Sequence, residues 1–178
     1  LLDSMSFSSF KESALTSNTV GYALYDNKDR CIYTEHSTKS PSASIFSKAK
    51  KAVLICYRPT RHKVKRAAPG GEGFVIDAFS ELVMQHYMTK FQQAFAQTQY
   101  TGKKPRAFYN DSYEVGGANF TIDFLAELQR RRGYDLLPHL HTLADSIQTE
   151  KRVRLVTDYC ETISDLLLDG FTRTWVNI

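Results

Sequence analysis

Two short stretches hold the residues best suited to chemistry. Asn110-Asp111-Ser112-Tyr113-Glu114 sets two carboxylates three residues apart, directly after the apolar run Ala107-Phe108-Tyr109. Asp77 follows a second short apolar run, Phe74-Val75-Ile76. In parallel β/α folds, ligands sit beyond the carboxyl ends of strands, where polar loop residues collect. Carboxylates at such a tip can act as acid and base or as metal ligands. A plainer reading stays open, in which Asp111 and Ser112 make turn hydrogen bonds and Glu114 is solvated. A third stretch, Pro69-Gly70-Gly71-Glu72-Gly73, lacks the spacing of either nucleotide-binding glycine loop. Its glycines suit a tight turn or a close approach of backbone to ligand, and Glu72 suits a sugar hydroxyl, a metal or solvent.

The elements that must position these residues follow from periodicity. Val20-Gly21-Tyr22-Ala23-Leu24-Tyr25 and Cys31-Ile32-Tyr33 flank a polar turn and read as a hairpin. Ala52-Val53-Leu54-Ile55-Cys56-Tyr57, closed by Arg58-Pro59, reads as a strand. Phe79, Leu82, Val83, Tyr87, Phe91, Ala94 and Phe95 recur at helical spacing and predict an amphipathic helix over 78–97, with Asp77 placed to cap it. A second helix begins near Thr121 and ends in Arg130-Arg131-Arg132, with Gly133 as its stop; three cations there complement the helix dipole without any ligand. A long helix is expected over 150–176, with Val153, Val156, Cys160, Ile163, Leu167 and Phe171 on one face. Strands alternating with helices through the centre imply an α/β fold with a parallel sheet, preceded by a β-rich lead-in.

Composition sets the outer bounds. The 178 residues are 42% hydrophobic and 24% charged, which excludes collagen, coiled coil and general disorder. No apolar run approaches the roughly 20 residues of a membrane span, and the opening Leu1-Leu2-Asp3 carries no signal-peptide pattern. Net charge is only +4. The basic residues cluster at Lys48, Lys50 and Lys51, then at Arg58, Arg61, His62, Lys63, Lys65 and Arg66. Few aromatics interleave them and no nucleic-acid module accompanies them, so a solvated basic loop or an anion-facing site is favoured over nucleic acid. Cys31, Cys56 and Cys160 show no metal-ligand spacing and read as thiols, the last two in apolar settings.

Three blocks in consistent order carry a family resemblance. The first is Lys65-Arg66-Ala67-Ala68-Pro69-Gly70-Gly71-Glu72-Gly73, followed by Asp77 and Phe79-Ser80. The second is Asn110-Asp111-Ser112-Tyr113-Glu114-Val115 with Asn119-Phe120-Thr121, and the third runs from Arg130-Arg131-Arg132-Gly133-Tyr134-Asp135 to Leu136-Leu137-Pro138-His139-Leu140. Together, over roughly residues 64–170, they resemble the α-L-rhamnosidases of glycoside hydrolase family 106.

That resemblance implies part of a (β/α)8 TIM barrel over residues 64–178, with residues 1–63 as a β-rich lead-in or insertion. It implies hydrolysis of terminal α-L-rhamnosyl linkages by an inverting, two-carboxylate reaction on a rhamnose-containing oligosaccharide or glycoside. Glu114 becomes the candidate acid, which needs burial or a neighbouring charge to raise its pKa; Asp111 could supply that charge or contact sugar. Glu72, Asp77 and Asn119 are candidates for contact with substrate or with a calcium ion, and Arg66 for orienting a carboxylate. Such enzymes are much longer than this chain, and a (β/α)8 barrel typically takes about 250 residues. The expectation is therefore a fragment, its water-activating carboxylate supplied by the rest of the barrel and its parent protein secreted or periplasmic. The alternative is a non-catalytic carbohydrate-binding remnant. Neither a nucleic acid nor a membrane span is expected as a partner.

Overall fold

In the computed structural model, residues 2–6, 15–98, 101–103, 106–107, 109–110 and 112–177 are described. The chain separates into two compact units, one comprising Leu1–Pro59 and Ile122–Thr162, the other Thr60–Thr121 and Ile163–Ile178.

The first unit is built on a four-stranded sheet. Its strands are β1 (Leu2–Ser6), β2 (Thr19–Tyr25), β3 (Cys31–Glu35) and β4 (Lys51–Cys56), in the spatial order β1-β4-β2-β3. Every neighbouring pair is antiparallel. β2 and β4 lie inside the sheet and are buried along nearly their whole length, which explains their unbroken apolar runs. The β2–β3 hairpin closes on Asp26, whose Oδ1 accepts from the Lys28 and Arg30 amides at 2.8 and 3.0 Å. Asp29 adopts φ +55° in that turn, and the register shifts beside it between Leu24 and Tyr25. Between β3 and β4 the chain forms a short helix, α1 (Ala43–Phe46). Tyr22, Leu24, Ala49, Ala52 and Leu54 form one core here.

Helical segments complete this unit. α3 (Phe124–Arg132) ends on Gly133 at φ +81°, the left-handed stop expected from its sequence. The Arg triplet is engaged further than dipole complementarity requires. Arg130 and Arg131 pair with Glu127, and Arg132 reaches Glu161 at 3.3 Å and Thr162 Oγ1 at 3.2 Å. A 3-10 turn (Leu137–His139) leads into α4 (Leu140–Ala144). Tyr25 ties this turn to β2: its hydroxyl donates to the Leu137 carbonyl and accepts from the His141 amide at 3.0 Å. Gly21 is small because a Cβ there would lie 2.9 Å from the Glu35 carbonyl oxygen of β3, and 3.1 Å from Leu137 Cδ1 of the same turn.

α5 (Glu150–Leu166) departs from the expected stripe. Val153 and Cys160 are exposed, while Leu155, Thr162 and Leu166 are buried and the Tyr159 ring packs 4.3 Å from Phe124. The buried face is rotated from the one that Val153, Val156 and Cys160 suggested. The helix then widens into a π-segment (Leu167–Arg173) before α6 (Thr174–Val176), and such a segment breaks the 3.6-residue register on which a single long stripe depends.

The second unit contains α2 (Glu81–Gln97), the π-segment, α6 and long irregular stretches. Its core is Ala78, Met84, Met88 and Phe171, with Ile76, Tyr87, Val115, Leu167 and Trp175 packed against it. α2 buries its methionines and leaves Leu82, Phe91 and Phe95 exposed, so most of the stripe predicted for it faces solvent. Ser80, not Asp77, caps α2 by accepting from the Val83 amide. Gly170 is small for a reason: a Cβ there would lie 3.2 Å from the Glu81 amide nitrogen.

The parallel TIM-barrel expectation is overturned. The only sheet among the described residues is antiparallel and lies in the segment read as a lead-in. The run 74–76 supplies one antiparallel bridge, Lys63 to Phe74, and Ala107 and Tyr109 lie in no strand; Phe108 is outside the described residues. Three apolar residues between a glycine-rich loop and the Asp77 turn are too few to build a ladder, whereas β2 and β4 have the length and two buried faces.

Candidate functional site

The described candidates all fall in the second unit, in two stretches and at Asp77 just beyond the first. The first is a strap, residues 61–75, doubled back on itself. The Val75 amide donates to the His62 carbonyl at 2.9 Å and the Val64 amide to the Gly73 carbonyl at 3.0 Å, around the Lys63–Phe74 bridge. These bonds close a loop over 65–72. Gly70 turns it at φ +83°, and the Gly71 amide donates to the Ala68 carbonyl. Glu72 is exposed, and its Oε2 accepts from the Gly70 amide at 2.9 Å. Arg66 is exposed as well, at φ +52°.

The second stretch is the turn over 112–121. Glu114 is exposed and holds φ +47°, a left-handed conformation that costs a side-chain-bearing residue about 1–2 kcal/mol. Its neighbours hold it there. The Tyr113 hydroxyl pairs with Thr172 Oγ1 at 2.8 Å, its ring sits edge-on to Phe171, and Val115 packs on the core. The Ala118 amide donates to the Val115 carbonyl at 2.8 Å. A strained backbone held by packing on both sides is a reason to look for function at Glu114. Asp111, the neighbour invoked to perturb it, lies outside the described residues. Asn119 is exposed.

Asp77 has a defined structural task. Its Oδ1 accepts from the Phe79 amide at 3.0 Å, and its Oδ2 accepts from Thr121 Oγ1 at 2.7 Å. The carboxylate therefore joins the start of the α2 segment to the end of the 112–121 turn. Both of its oxygens are engaged, which argues for positioning over proton transfer.

Two residues that the sequence places in the basic cluster and in the second block, without marking them as site residues, complete the site. Thr121 is buried and is the partner that fixes Asp77. His62 lies against Gly116, where an added Cβ would fall 2.7 Å from the imidazole Cε1. Gly116, at φ +56°, thus needs both its backbone freedom and its missing side chain. The signal available was Gly116-Gly117, two glycines just after the acidic block.

Strap and turn are brought together by the His62–Gly116 contact, and turn and α2 by the Asp77–Thr121 bond. Among the described residues no three His, Cys, Asp or Glu side chains gather where they could hold a metal ion. No described helix is long and apolar enough to cross a membrane.

Comparison with known proteins bears on what this arrangement serves. A curated protein of Formosa agariphila named "Putative beta-glucuronidase" is 32% identical over 119 residues, which take in 65% of this chain and 10% of that protein. The chain thus spans about a tenth of the length of that relative. No solved structure matches it. The family described as alpha-L-rhamnosidase, glycoside hydrolase family 106, matches residues 48–177, a stretch that contains the strap, the acidic turn and the Arg-rich block. On that match, the chain belongs to glycoside hydrolase family 106.

Proposed function

We propose that the chain is part of a glycosidase that hydrolyses terminal α-L-rhamnosyl linkages in a rhamnose-containing oligosaccharide or glycoside, in a secreted or periplasmic setting. The observation that carries this reading is the family match over residues 48–177, which contains every candidate residue. In an inverting reaction one carboxylic acid protonates the leaving oxygen, while a second carboxylate activates water on the opposite face of the sugar. Glu114 is the best candidate for one of the pair. Asp77 is occupied by the Phe79 amide and Thr121, whereas Glu114 is exposed in a strained turn anchored on either side. Glu72, Asn119 and Arg66 are exposed and suited to sugar contact. The second carboxylate is assigned to the part of the protein that this chain does not span.

Aryl α-L-rhamnoside hydrolysis tests the reading, with the aryl β-D-glucuronide as comparison substrate. Rhamnoside turnover that falls about 10²–10⁴-fold in Glu114→Gln supports it. Turnover that is indifferent to Glu114→Gln removes Glu114 from the reaction. The exposure of Glu114 favours one second reading, a carbohydrate-binding segment without catalysis of its own. Rhamno-oligosaccharide binding without turnover supports that alternative.

A further inference from the structure

Of the cations in the strap, the rhamnosidase reading uses only Arg66 and leaves the rest without a role. Arg61, His62, Lys63, Lys65 and Arg66 are all exposed within six residues. Among the described residues, none of Arg61, Lys63, Lys65 and Arg66 makes an ion pair or a side-chain hydrogen bond. Among the described residues Arg58, Arg106, Arg152, Lys48 and Lys50 are likewise without an ion pair, so the strap stands apart by the concentration of its charge, while six arginines elsewhere are paired. Arg30, Arg130, Arg131, Arg132, Arg154 and Arg173 each pair with a carboxylate at 2.5–3.3 Å. The one acid in the loop, Glu72, turns an oxygen to its own backbone at Gly70.

The run is also shaped. Arg61 and Arg66 hold φ +55° and +52°, two left-handed positions occupied by side-chain-bearing residues. They bound the bridged residues 62–64, where the extended pairing with 73–75 holds the backbone. The strap bonds between 62–64 and 73–75 fix the segment, and His62 seats it on Gly116, two residues from Glu114. A concentration of unpaired cations on a braced segment next to a sugar-processing turn is suited to an anion carried by the sugar chain.

We propose that residues 61–66 bind the anionic groups, carboxylates or sulfate esters, of an acidic polysaccharide whose chain runs past the Glu114 turn. Guanidinium and ammonium groups bind such oxyanions by charge-assisted hydrogen bonds, and Arg does so in bidentate geometry. An acidic residue beside the scissile sugar would be steered and held by the strap. A glycan is favoured over nucleic acid because the glycosidase family match spans the strap, and the oligonucleotide arm of the test covers the stacking that His62 and the exposed Phe74 opposite Lys63 could offer. The proposal takes its ligand class from the glycosidase reading, and its test reads binding alone.

The chain is titrated calorimetrically with polygalacturonate, carboxyl-reduced polygalacturonate, dextran sulfate and dextran. At about 50 mM salt the expected result is binding of at least one polyanion about tenfold or more tighter than its neutral counterpart, weakening steeply as salt rises. Preference for polygalacturonate assigns the site to carboxylates, and preference for dextran sulfate assigns it to sulfate esters. The double variant Lys63→Ala/Lys65→Ala lowers that affinity about tenfold, while Lys48→Ala/Lys50→Ala, which removes the same charge elsewhere, leaves it within about twofold. Equal loss in both double variants reduces the effect to net charge and overturns the proposal. So does equal binding of charged and neutral polymers, or an oligonucleotide of matched charge binding as tightly as the best glycan. Polyanion binding with no rhamnoside turnover leaves the strap standing and counts against the catalytic reading. Turnover with no preference for polyanions does the reverse.

Discussion

The two units of this chain use their residues in opposite ways. In the first, apolar side chains are committed to a hydrogen-bonded sheet and its helices, and Tyr22, Leu24, Ala52 and Val53 are completely buried. In the second, long segments run without a ladder, Phe74, Leu82, Phe91 and Tyr109 are exposed, and three non-glycine residues adopt positive φ. Among the described residues only Asp29 does so in the first unit, inside a hairpin turn. Every described candidate for chemistry lies in the second unit. The difference shows a division of labour: regular structure satisfies backbone groups internally, whereas irregular loops leave charge and strained backbone available to a ligand.

The comparison is most easily broken in the cores. Phe124 is fully buried against Tyr159, and Phe124→Ala is expected to destabilise the first unit by about 3–5 kcal/mol in urea unfolding. Phe91, exposed on α2, should cost under about 1 kcal/mol when changed to Ala. Equal losses would mean that the two units do not differ in packing.

A second contrast lies between glycines of the same region. Gly116→Ala places a Cβ against His62 at a positive φ and should cost about 1–3 kcal/mol in thermal melts. Gly73 has open space around it and no positive φ, so Gly73→Ala should be neutral or slightly stabilising, by up to about 1 kcal/mol. If Gly116→Ala melts like the parent chain, His62 does not seat the strap on the turn.

Asp77→Ala should cost about 1–2 kcal/mol through loss of the Thr121 and Phe79 bonds. Thr121→Val should remove part of the same energy, and a double-mutant cycle should show coupling between them. Additive losses would deny the bond its role.

The smallest effect concerns pH. Burial, followed by the nearby Lys151, holds His139 below its ordinary pKa, while Asp135 acts in the opposite sense. The unfolded chain then binds the proton more readily. Stability from this group is present above about pH 6.5 and declines as pH falls through the folded value. Glu127, held below the usual carboxylate range by Arg130 and Arg131, adds a loss of the same sign at more acidic pH, below about 4.3. Melts of His139→Gln should show a flatter dependence between pH 7 and 5, and an unchanged slope would exclude His139 as its source.

Legibility in the sequence followed the locality of the cause. The 19–35 hairpin, the 51–56 strand and the Gly133 stop were readable because turn chemistry and left-handed caps act within a few residues. The buried faces of α2 and α5 were misread. Phe91 and Phe95 carry more apolar surface than Met84 and Met88, yet the methionines meet Ala78 and Phe171, and the π-segment after Leu166 disrupts the register of the long helix. At the site, the acidic block and the glycine-rich loop stand out by composition, but the pairing of Thr121 with Asp77 and of His62 with Gly116 does not. Each lies more than 40 residues from the group it meets, and no local pattern announces such a meeting.

The amino-acid sequence by itself determined where the chain turns, which runs are apolar enough to be strands, and the ordered blocks by which it resembles its family. Tertiary structure decided that the sheet is antiparallel and formed by the first 56 residues, because pairing depends on which strands find partners of matching length and burial. It also decided that Asp77 is held by hydrogen bonds while Glu114 is left exposed, since burial and pairing belong to the packed chain and not to spacing along it.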